Sequence, residues 1–414
     1  MNKKFICASK ERCTFEKNVS APYFRKNFKL EELPQKAEIS ICGLGFYVLY
    51  INGINITKGA LAPYISNPDH FCYYDTYDVT EYLNTGQNVI GIVLGNGFYN
   101  PFAGAVWNFD KADWINAPCV ALNFDADGKI LFEADESFKT HSSPIIFDEL
   151  RMGEHYDANK EVCGWNTVGF NDSEWDNAYF APAPRGKLTV CEAEPIEVIK
   201  EIEPVNIFRQ DNDFVYDFGE NNAGVCTLKI KAYKGQRIEL WHGEIFANGR
   251  FDNYSTIFDR TDAPFYPEYS QKDVYIAKGE GIEEYTPKFT YHGFRYVLVK
   301  GITEEQATKE LLTYNVMSSD LDEIGGFNCS DETINTLFEM VKRSDRSNYY
   351  YFPTDCPHRE KNGWTGDISM SADHMINCKS CFYLLYEIIL TANDRTIIYY
   401  AIYVHYFAII VIDF

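Results

Sequence analysis

The sequence predicts a multidomain, mostly β protein in which two β-sandwich domains are followed by the first helices of a helical domain. Its 414 residues exceed the ~100–200 residues of an ordinary domain, so two or three domains are expected. Short apolar runs separated by Asn-Gly, Asp-Gly and Lys-Gly turns are typical of β-sandwiches. After about residue 321 the apolar spacing changes to a helical period. We therefore expect domains at residues 1–185, 186–310 and 311–414.

The first block, residues 1–185, contains several short strand signals. The apolar run Tyr47–Ile51 is followed by Asn52-Gly53, a strong hairpin signal, and residues 89–94 and 120–124 are further buried-strand candidates. The segment APAPRG at 181–186 has the composition of a linker. These features predict a β-sandwich that ends near residue 185.

The second block, residues 186–310, continues the strand pattern. Its strand candidates and the turns between them are residues 227–230, Lys234-Gly235, residues 237–241, Asn248-Gly249 and residues 296–299. We expect a second β-sandwich here.

The third block, residues 311–414, begins a helical domain. Ser330 is a suitable N-cap, and Asp331 and Glu332 place negative charge in the first turn, where it suits the helix dipole. Apolar residues then follow helical i, i+3, i+4, i+7 spacing: Ile334, Leu337, Phe338 and Val341. The sequence predicts an amphipathic helix.

Composition and charge exclude several classes of partner. With a net charge of −22 and a pI near 4.8, the surface repels phosphate backbones and anionic lipid, so we expect neither a nucleic acid nor a membrane partner. A neutral sugar is compatible with this charge. The oligomeric state cannot be read from the sequence.

The cysteine pattern indicates a reducing compartment and no metal. The twelve cysteines are scattered, and the N-terminal residues lack the apolar run of a secretory signal, so we expect a cytoplasmic protein. A single CKSC pair at 378–381 is weak evidence for zinc, and we expect neither a metal nor another cofactor.

The densest group of chemically active residues is the string PTDCPHREKNGWTGD at 353–367. Cleavage of a glycosidic bond needs a carboxylic acid that protonates the leaving oxygen, and carboxylates, Arg and Trp can all hold a sugar. The residues alone leave two interpretations open: a sugar site, or an acidic surface loop anchored by Trp364.

This string resembles the catalytic signature of the bacterial α-L-rhamnosidases, glycoside hydrolase family 78. The resemblance covers nearly the whole chain and predicts a jelly-roll-like sandwich, a concanavalin-like sandwich and the first helices of an (α/α)6 barrel. The further strings that carry it are YING at 50–53, LAP at 61–63, YDVT at 77–80, LGNGFY at 94–99, GEHYDA at 153–158, Trp165 with DSEW at 172–175, YDFGEN at 216–221, HGE at 242–244, YHGFRY at 291–296 and GFNCS at 326–330.

The resemblance assigns roles within the motif. Glu360 matches the family's general acid, and the positions matching its rhamnose-binding residues are Asp355, Arg359, Trp364 and Asp367. Many members carry one more residue between the Arg and the Trp, and this chain resembles the shorter R-E-K form. The resemblance implies an inverting α-L-rhamnosidase that removes terminal rhamnose from glycosides or polysaccharides.

Other polar residues near these strings match no catalytic role. We expect packing or solvent exposure for Cys356, His358 and Lys361. We expect structural roles in the second sandwich for His242, Glu244, His292 and Arg295.

The family's catalytic base lies far downstream of the acid. Twelve helices of ~11–12 residues need over ~130 residues, more than follow Leu321, so we expect a barrel that does not close and a chain that lacks the base. Residues 397–412 carry no formal charge, and a truncated product or shifted reading frame explains them better than a membrane anchor. Two hypotheses stay open: a truncated α-L-rhamnosidase, or a non-catalytic carbohydrate-binding fragment.

Overall fold

A computed structural model describes residues 1–104, 112–257 and 267–380. The apolar tail and Cys381 of the CKSC pair lie outside these residues. The first fifteen strands are β1 (Phe5–Cys7), β2 (Pro22–Leu30), β3 (Ala37–Leu44), β4 (Tyr47–Ile51), β5 (Ile54–Asn55), β6 (Phe71–Asp78), β7 (Gly86–Leu94), β8 (Cys119–Ala126), β9 (Lys129–Glu133), β10 (Lys139–Ser142), β11 (Ile145–Glu149), β12 (Gly153–Asp157), β13 (Asp176–Asn177), β14 (Tyr179–Ala181) and β15 (Lys187–Val190).

The N-terminal domain is a sandwich of two sheets. One sheet has the order β14-β1-β8-β3-β6-β15 with β9 beside β8, and the other has the order β13-β10-β2-β7-β4-β5. Between them lies an apolar core whose members include Phe24, Ile41, Leu49, Ile92 and Phe124. The predicted strands are confirmed, because their apolar residues alternate toward this shared core.

The predicted hairpin turns are also confirmed. Asn52 (φ 51°) and Gly53 (φ 88°) both adopt the left-handed region between β4 and β5. Asp127 and Gly128 do the same between β8 and β9. Two-residue turns with positive φ match the twist of the flanking strands, which is why Asn-Gly and Asp-Gly pairs predict them.

A second set of strands forms one large sheet with two small strand pairs. The strands are β16 (Ile196–Ile202), β17 (Asn206–Gln210), β18 (Asp213–Ile230), β19 (Arg237–Gly243), β20 (Ile245–Ala247), β21 (Arg250–Asp252), β22 (Lys272–Ile276), β23 (Glu283–Tyr285), β24 (His292–Lys300), β25 (Leu312–Ser319), β26 (Tyr349–Tyr350) and β27 (Phe352–Pro353). The ten-stranded sheet has the order β11-β12-β22-β19-β24-β18-β25-β16, with β17 and β23 also paired to β18.

Some strands belong to a different sheet from the one that the predicted domain boundaries at residues 185 and 310 imply. The hairpin of β11 and β12 precedes residue 185, yet β12 pairs in parallel with β22 of the large sheet. β15 follows residue 185 but pairs with β6 of the N-terminal sandwich, and β25 extends the large sheet beyond residue 310. Apolar periodicity identifies strands but carries no information about which distant strand each one pairs with.

Two α-helices follow the sheets, α1 (Glu332–Arg346) and α2 (Thr365–Cys378). The predicted helix is confirmed, but its N-cap is Asp331 and not Ser330, because the Asp331 carboxylate accepts a hydrogen bond from the Thr333 amide at 2.9 Å. Short 3-10 turns occupy Thr80–Tyr82, Phe102–Gly104, Ala158–Lys160, Tyr254–Thr256, Pro267–Tyr269 and Lys309–Leu311. No helix in the described part of the chain is long and apolar enough to cross a membrane.

An aromatic core joins the two β units to the start of the helical region. Trp165 and Phe46 come from the N-terminal part, Tyr291 precedes β24, and Tyr350 and Tyr351 follow α1. The Tyr291 and Tyr350 rings stack with centroids 3.7 Å apart. This core holds the segment that leads into the PTDCPHREKNGWTGD motif.

Candidate active site

The motif forms a loop between β27 and α2. The loop closes on itself through its backbone, since the Asp355 amide donates to the Asn362 carbonyl at 2.9 Å and the Trp364 amide donates to the same carbonyl at 3.0 Å. Trp364 is the N-cap residue of α2, and Asp367 lies in the first turn of that helix. All five predicted site residues therefore lie on this loop or at the start of the helix that follows it.

Glu360 and Trp364 are in direct contact. The indole Nε1 of Trp364 donates to Oε2 of Glu360 at 2.6 Å. Glu360 is half-buried, whereas Trp364 is 40% exposed. This short hydrogen bond fixes the direction of the carboxylate.

Asp355 braces the loop from within. Its Oδ1 accepts a hydrogen bond from the Asn362 amide at 2.9 Å, and its Oδ2 accepts one from the Cys356 thiol at 3.0 Å. The Cys356 sulfur in turn accepts a hydrogen bond from the Glu360 amide at 3.4 Å. Asp355 is thus connected to Glu360 through one buried side chain.

Arg359 and Asp367 are both exposed. Arg359 directly precedes Glu360, and Asp367 lies in the first turn of α2. The structure therefore brings Asp355, Glu360 and Trp364 into one hydrogen-bonded loop, with a cation and a further carboxylate at the surface beside it.

Arg151 holds the same loop from a distant part of the chain. Its Nε donates to the Glu360 carbonyl at 2.7 Å and its Nη2 donates to Oδ1 of Asn362 at 2.8 Å. It lies in the turn between β11 and β12, more than two hundred residues before the motif. A lone Arg beside a turn gives no local signal of such a contact, so this residue could not be identified from the sequence.

Lys361 is a second buried anchor. It is 1% exposed, and its Nζ donates to the carbonyls of Leu150 and Tyr291. Burial lowers the pKa of Lys361 to about 7, although the nearby carboxylate of Glu149 favours the charged amine. Of the two alternatives expected for Lys361 and Cys356, packing or solvent exposure, the structure shows burial for both.

The large sheet approaches the loop closely at one glycine. A Cβ on Gly293 would lie 2.5 Å from Cγ of Pro357, so a larger residue would separate β24 from the motif. His358, next in the loop, is half-buried, and its Nε2 lies 3.9 Å from Oε2 of Glu244. Burial lowers the pKa of His358. The close approach places Glu244 beside the loop.

His242, Asp273 and His292 form a buried cluster with ligating atoms within 4.8 Å of one another. The two imidazole rings stack with centroids 4.1 Å apart and an interplanar angle of 15°, so one ion cannot lie in the plane of both rings. Nε2 of His292 bonds Oδ2 of Asp273 at 3.0 Å, and Nδ1 of His242 bonds the Gln271 carbonyl at 3.0 Å. Burial lowers the pKa of His242 to about 3 and raises that of Asp273 to about 6. The cluster is a hydrogen-bonded part of the sheet core, in agreement with the structural roles expected for both histidines.

Three family models match successive parts of the chain. The α-L-rhamnosidase N-terminal domain matches residues 32–200, the bacterial α-L-rhamnosidase concanavalin-like domain matches residues 208–318, and the bacterial α-L-rhamnosidase six-hairpin glycosidase domain matches residues 322–389. Their order agrees with the order of the structural units.

Curated relatives give the same result. An α-L-rhamnosidase of Formosa agariphila is 35% identical over 361 residues, which cover 84% of this chain and 37% of that protein. An α-L-rhamnosidase of Alteromonas sp. is 30% identical, covering 83% of this chain and 37% of that protein. The chain thus spans little more than a third of the length of these relatives.

Solved structures show the same architecture. The α-L-rhamnosidase from Dictyoglumus thermophilum superposes with a TM-score of 0.84 at 34% identity, covering 95% of this chain and 44% of that one. The Streptomyces avermitilis α-L-rhamnosidase, complexed with L-rhamnose, superposes with a TM-score of 0.78 at 27% identity, covering 90% of this chain and 36% of that one. The predicted fold class is confirmed, and the chain belongs to the bacterial α-L-rhamnosidase family.

Proposed function

We propose that this chain supplies the acid side of an inverting α-L-rhamnosidase site, which removes terminal non-reducing α-L-rhamnose from glycosides or polysaccharides. Glu360 is the general acid. The observation that carries the proposal is the 2.6 Å hydrogen bond from Trp364 to the Glu360 carboxylate, within a stretch that the six-hairpin glycosidase domain matches. The Streptomyces avermitilis relative, solved with L-rhamnose, supports the choice of sugar.

The remaining motif residues hold the sugar. The Trp364 indole is 40% exposed and offers an apolar face to the C–H surface of a pyranose ring. Arg359, also exposed, offers a fork of donors to hydroxyl groups, and Asp367 offers acceptors. Asp355 accepts hydrogen bonds from the loop itself, so its contribution to binding includes keeping the loop closed.

Inversion needs a second carboxylate about 6.5–9.5 Å from the acid, with a water between them. The residues that match the family's site supply the acid and the sugar-holding groups but not that base. We therefore propose that the motif at residues 353–367 binds rhamnose and provides the acid, and that the base is a carboxylate outside this motif.

A non-catalytic carbohydrate-binding role is the alternative. It is favoured by the 40% exposure of Trp364, because an exposed indole can hold a sugar ring whether or not Glu360 acts as an acid. Binding of L-rhamnose without any hydrolysis, in the chain and in a chimera that carries the C-terminal part of a relative, would select this alternative.

We also propose a cytoplasmic location, a role in carbohydrate metabolism, and no nucleic-acid or membrane partner. The eleven cysteines among the described residues are all free thiols, which suits a reducing compartment. The net charge of −22 suits a neutral sugar substrate better than a polyanion.

The test is hydrolysis of two α-L-rhamnosides that differ in their leaving groups. It uses the chain and a chimera in which the residues after 389 come from the Formosa agariphila relative. Glu360→Gln in the chimera should abolish release of a poor leaving group such as methanol and reduce release of dinitrophenol far less, because a good leaving group needs no proton. The matched control is Asp373→Asn, which changes an exposed carboxylate of α2. Equal losses on both substrates would reject Glu360 as the acid.

A further inference from the structure

The turn between β11 and β12 reaches from the ten-stranded sheet to the candidate acid. This turn comprises residues 150–152. Its Leu150 carbonyl accepts from Lys361 at 2.6 Å, and its Arg151 side chain bonds the residues on either side of Lys361. Three consecutive residues of the motif loop are therefore fixed by one turn.

The turn is itself held rigid by a buried carboxylate. Oε2 of Glu149 accepts hydrogen bonds from the amides of Arg151 and Met152 at 2.7 and 2.8 Å. Glu149 is 1% exposed and Arg151 is 7% exposed. Oε1 of Glu149 lies 3.9 Å from Nη1 of Arg151, so the buried cation and anion compensate each other.

Arg151 donates hydrogen bonds from two different nitrogens of its guanidinium group. Nε binds the Glu360 carbonyl at 2.7 Å and Nη2 binds the Asn362 side chain at 2.8 Å. A lysine ammonium is a single point of charge and cannot reproduce a planar fork with two fixed directions. The guanidinium also lies 4.5 Å from the Phe98 ring centroid, which restricts its orientation further.

Glu360 is thus held both at its backbone and at its side chain. Arg151 holds its carbonyl oxygen, and Trp364 holds its carboxylate. Since a displacement of about 1 Å can cost roughly a hundredfold in rate, the backbone position of a catalytic acid matters as much as its side chain.

We propose that Arg151 is a positioning residue for the general acid: from the β11–β12 turn it sets the backbone of Glu360, and thereby the geometry of the Glu360–Trp364 pair. The role of Glu360 as the general acid rests on the proposed function. The contact itself belongs to the described structure, so it can be tested without any hydrolysis.

The test follows the indole N–H resonances of the 414-residue chain labelled with 15N-tryptophan. The sequence contains six Trp residues, and Trp364→Phe identifies the resonance of interest. Glu360→Gln replaces the carboxylate that accepts the indole hydrogen bond, so it should move the Trp364 resonance and set the scale of the response.

Arg151→Lys should move the Trp364 resonance by at least half as much as Glu360→Gln does. The matched control is Arg25→Lys, since Arg25 is also buried and donates to the carbonyls of Thr167 and Phe170, far along the chain from the motif. That variant should leave the Trp364 resonance in place. An unchanged Trp364 resonance in Arg151→Lys, or an equal change in Arg25→Lys, would overturn the proposal.

A second variant decides the question if Arg151→Lys does not fold. Asn362→Ala removes the acceptor of one Arg151 arm and keeps the loop's backbone hydrogen bonds. It should move the Trp364 resonance in the same direction by a smaller amount, and no movement would overturn the proposal. Addition of L-rhamnose to the same samples tests the proposed function separately, because sugar binding can fail while the Arg151 contact is verified.

Discussion

The Trp364 indole donates a 2.6 Å hydrogen bond to the carboxylate of Glu360, four residues earlier in the chain. This pair combines the apolar face that a sugar ring needs with the carboxylic acid that glycoside cleavage needs. Its geometry depends on Asp355, Asn362 and Arg151, which fix the loop between the two residues.

Substitution can separate the apolar face of Trp364 from its hydrogen bond to Glu360. Trp364→Phe keeps an aromatic face, so affinity for L-rhamnose should stay within about twofold of the wild type, whereas Trp364→Ala should weaken it about tenfold. Ligand-observed NMR of the 414-residue chain measures both affinities. Equal affinity in all three proteins would mean that the indole does not contact the sugar.

Lys361 makes stability depend on pH. Its pKa is lowered by burial to about 7 in the folded chain, below its unfolded value, so the unfolded state binds more protons between about pH 7 and 10. Stability from this group therefore rises with pH across that window, by at most about 1.4 kcal/mol per pH unit.

Urea unfolding at several pH values measures this effect as the difference between the wild type and Lys361→Met. The unfolding free energy of the wild type relative to Lys361→Met should rise with pH. Lys129→Met, which removes an exposed lysine, should show the same pH dependence as the wild type. A difference that does not vary with pH would show that Lys361 titrates alike in both states.

Gly153 follows the turn that carries Arg151. Its φ is 151°, and a Cβ there would lie 2.0 Å from the Lys272 carbonyl oxygen, where β12 pairs beside β22. Gly153→Ala should cost at least about 2 kcal/mol more than Gly249→Ala, whose turn has φ 74° and open space around the added carbon. Equal unfolding free energies for the two variants would contradict the close packing.

Helix α1 exposes most of its apolar stripe. Ile334, Leu337 and Val341 are 47%, 58% and 38% exposed. Leu337→Lys should therefore leave the unfolding free energy within about 0.5 kcal/mol while reducing the binding of an apolar dye. A large loss of stability would show that the stripe is covered in solution.

Local features of the structure could be predicted from the sequence, because they depend on neighbouring residues. Asn52-Gly53 and Asp127-Gly128 each specify a turn, and the apolar spacing around Leu337 specifies a helix. The sequence predicts the cap at Ser330, one residue too early, because Ser330 and Asp331 are both good caps and only the backbone geometry selects between them.

Long-range relationships could not be predicted in this way. The pairing of β12 with β22 joins segments separated by more than a hundred residues, and the contact of Arg151 with Glu360 spans 209. Likewise, the spacing of Leu337 predicts an apolar face but not whether another element covers it. The motif residues of the site were found through resemblance, and the residues that hold the motif in place required the structure.

Titration of the 15N-tryptophan-labelled 414-residue chain with L-rhamnose tests the central claim most directly, with its enantiomer D-rhamnose as the matched control. We predict a saturable shift of the Trp364 indole resonance with L-rhamnose, a much smaller one with D-rhamnose, and little change at Trp175, which stacks on Tyr23 in the N-terminal sandwich. A Trp364 resonance that stays in place at saturating L-rhamnose, or that responds equally to both enantiomers, would contradict the assignment of this loop as a rhamnose site.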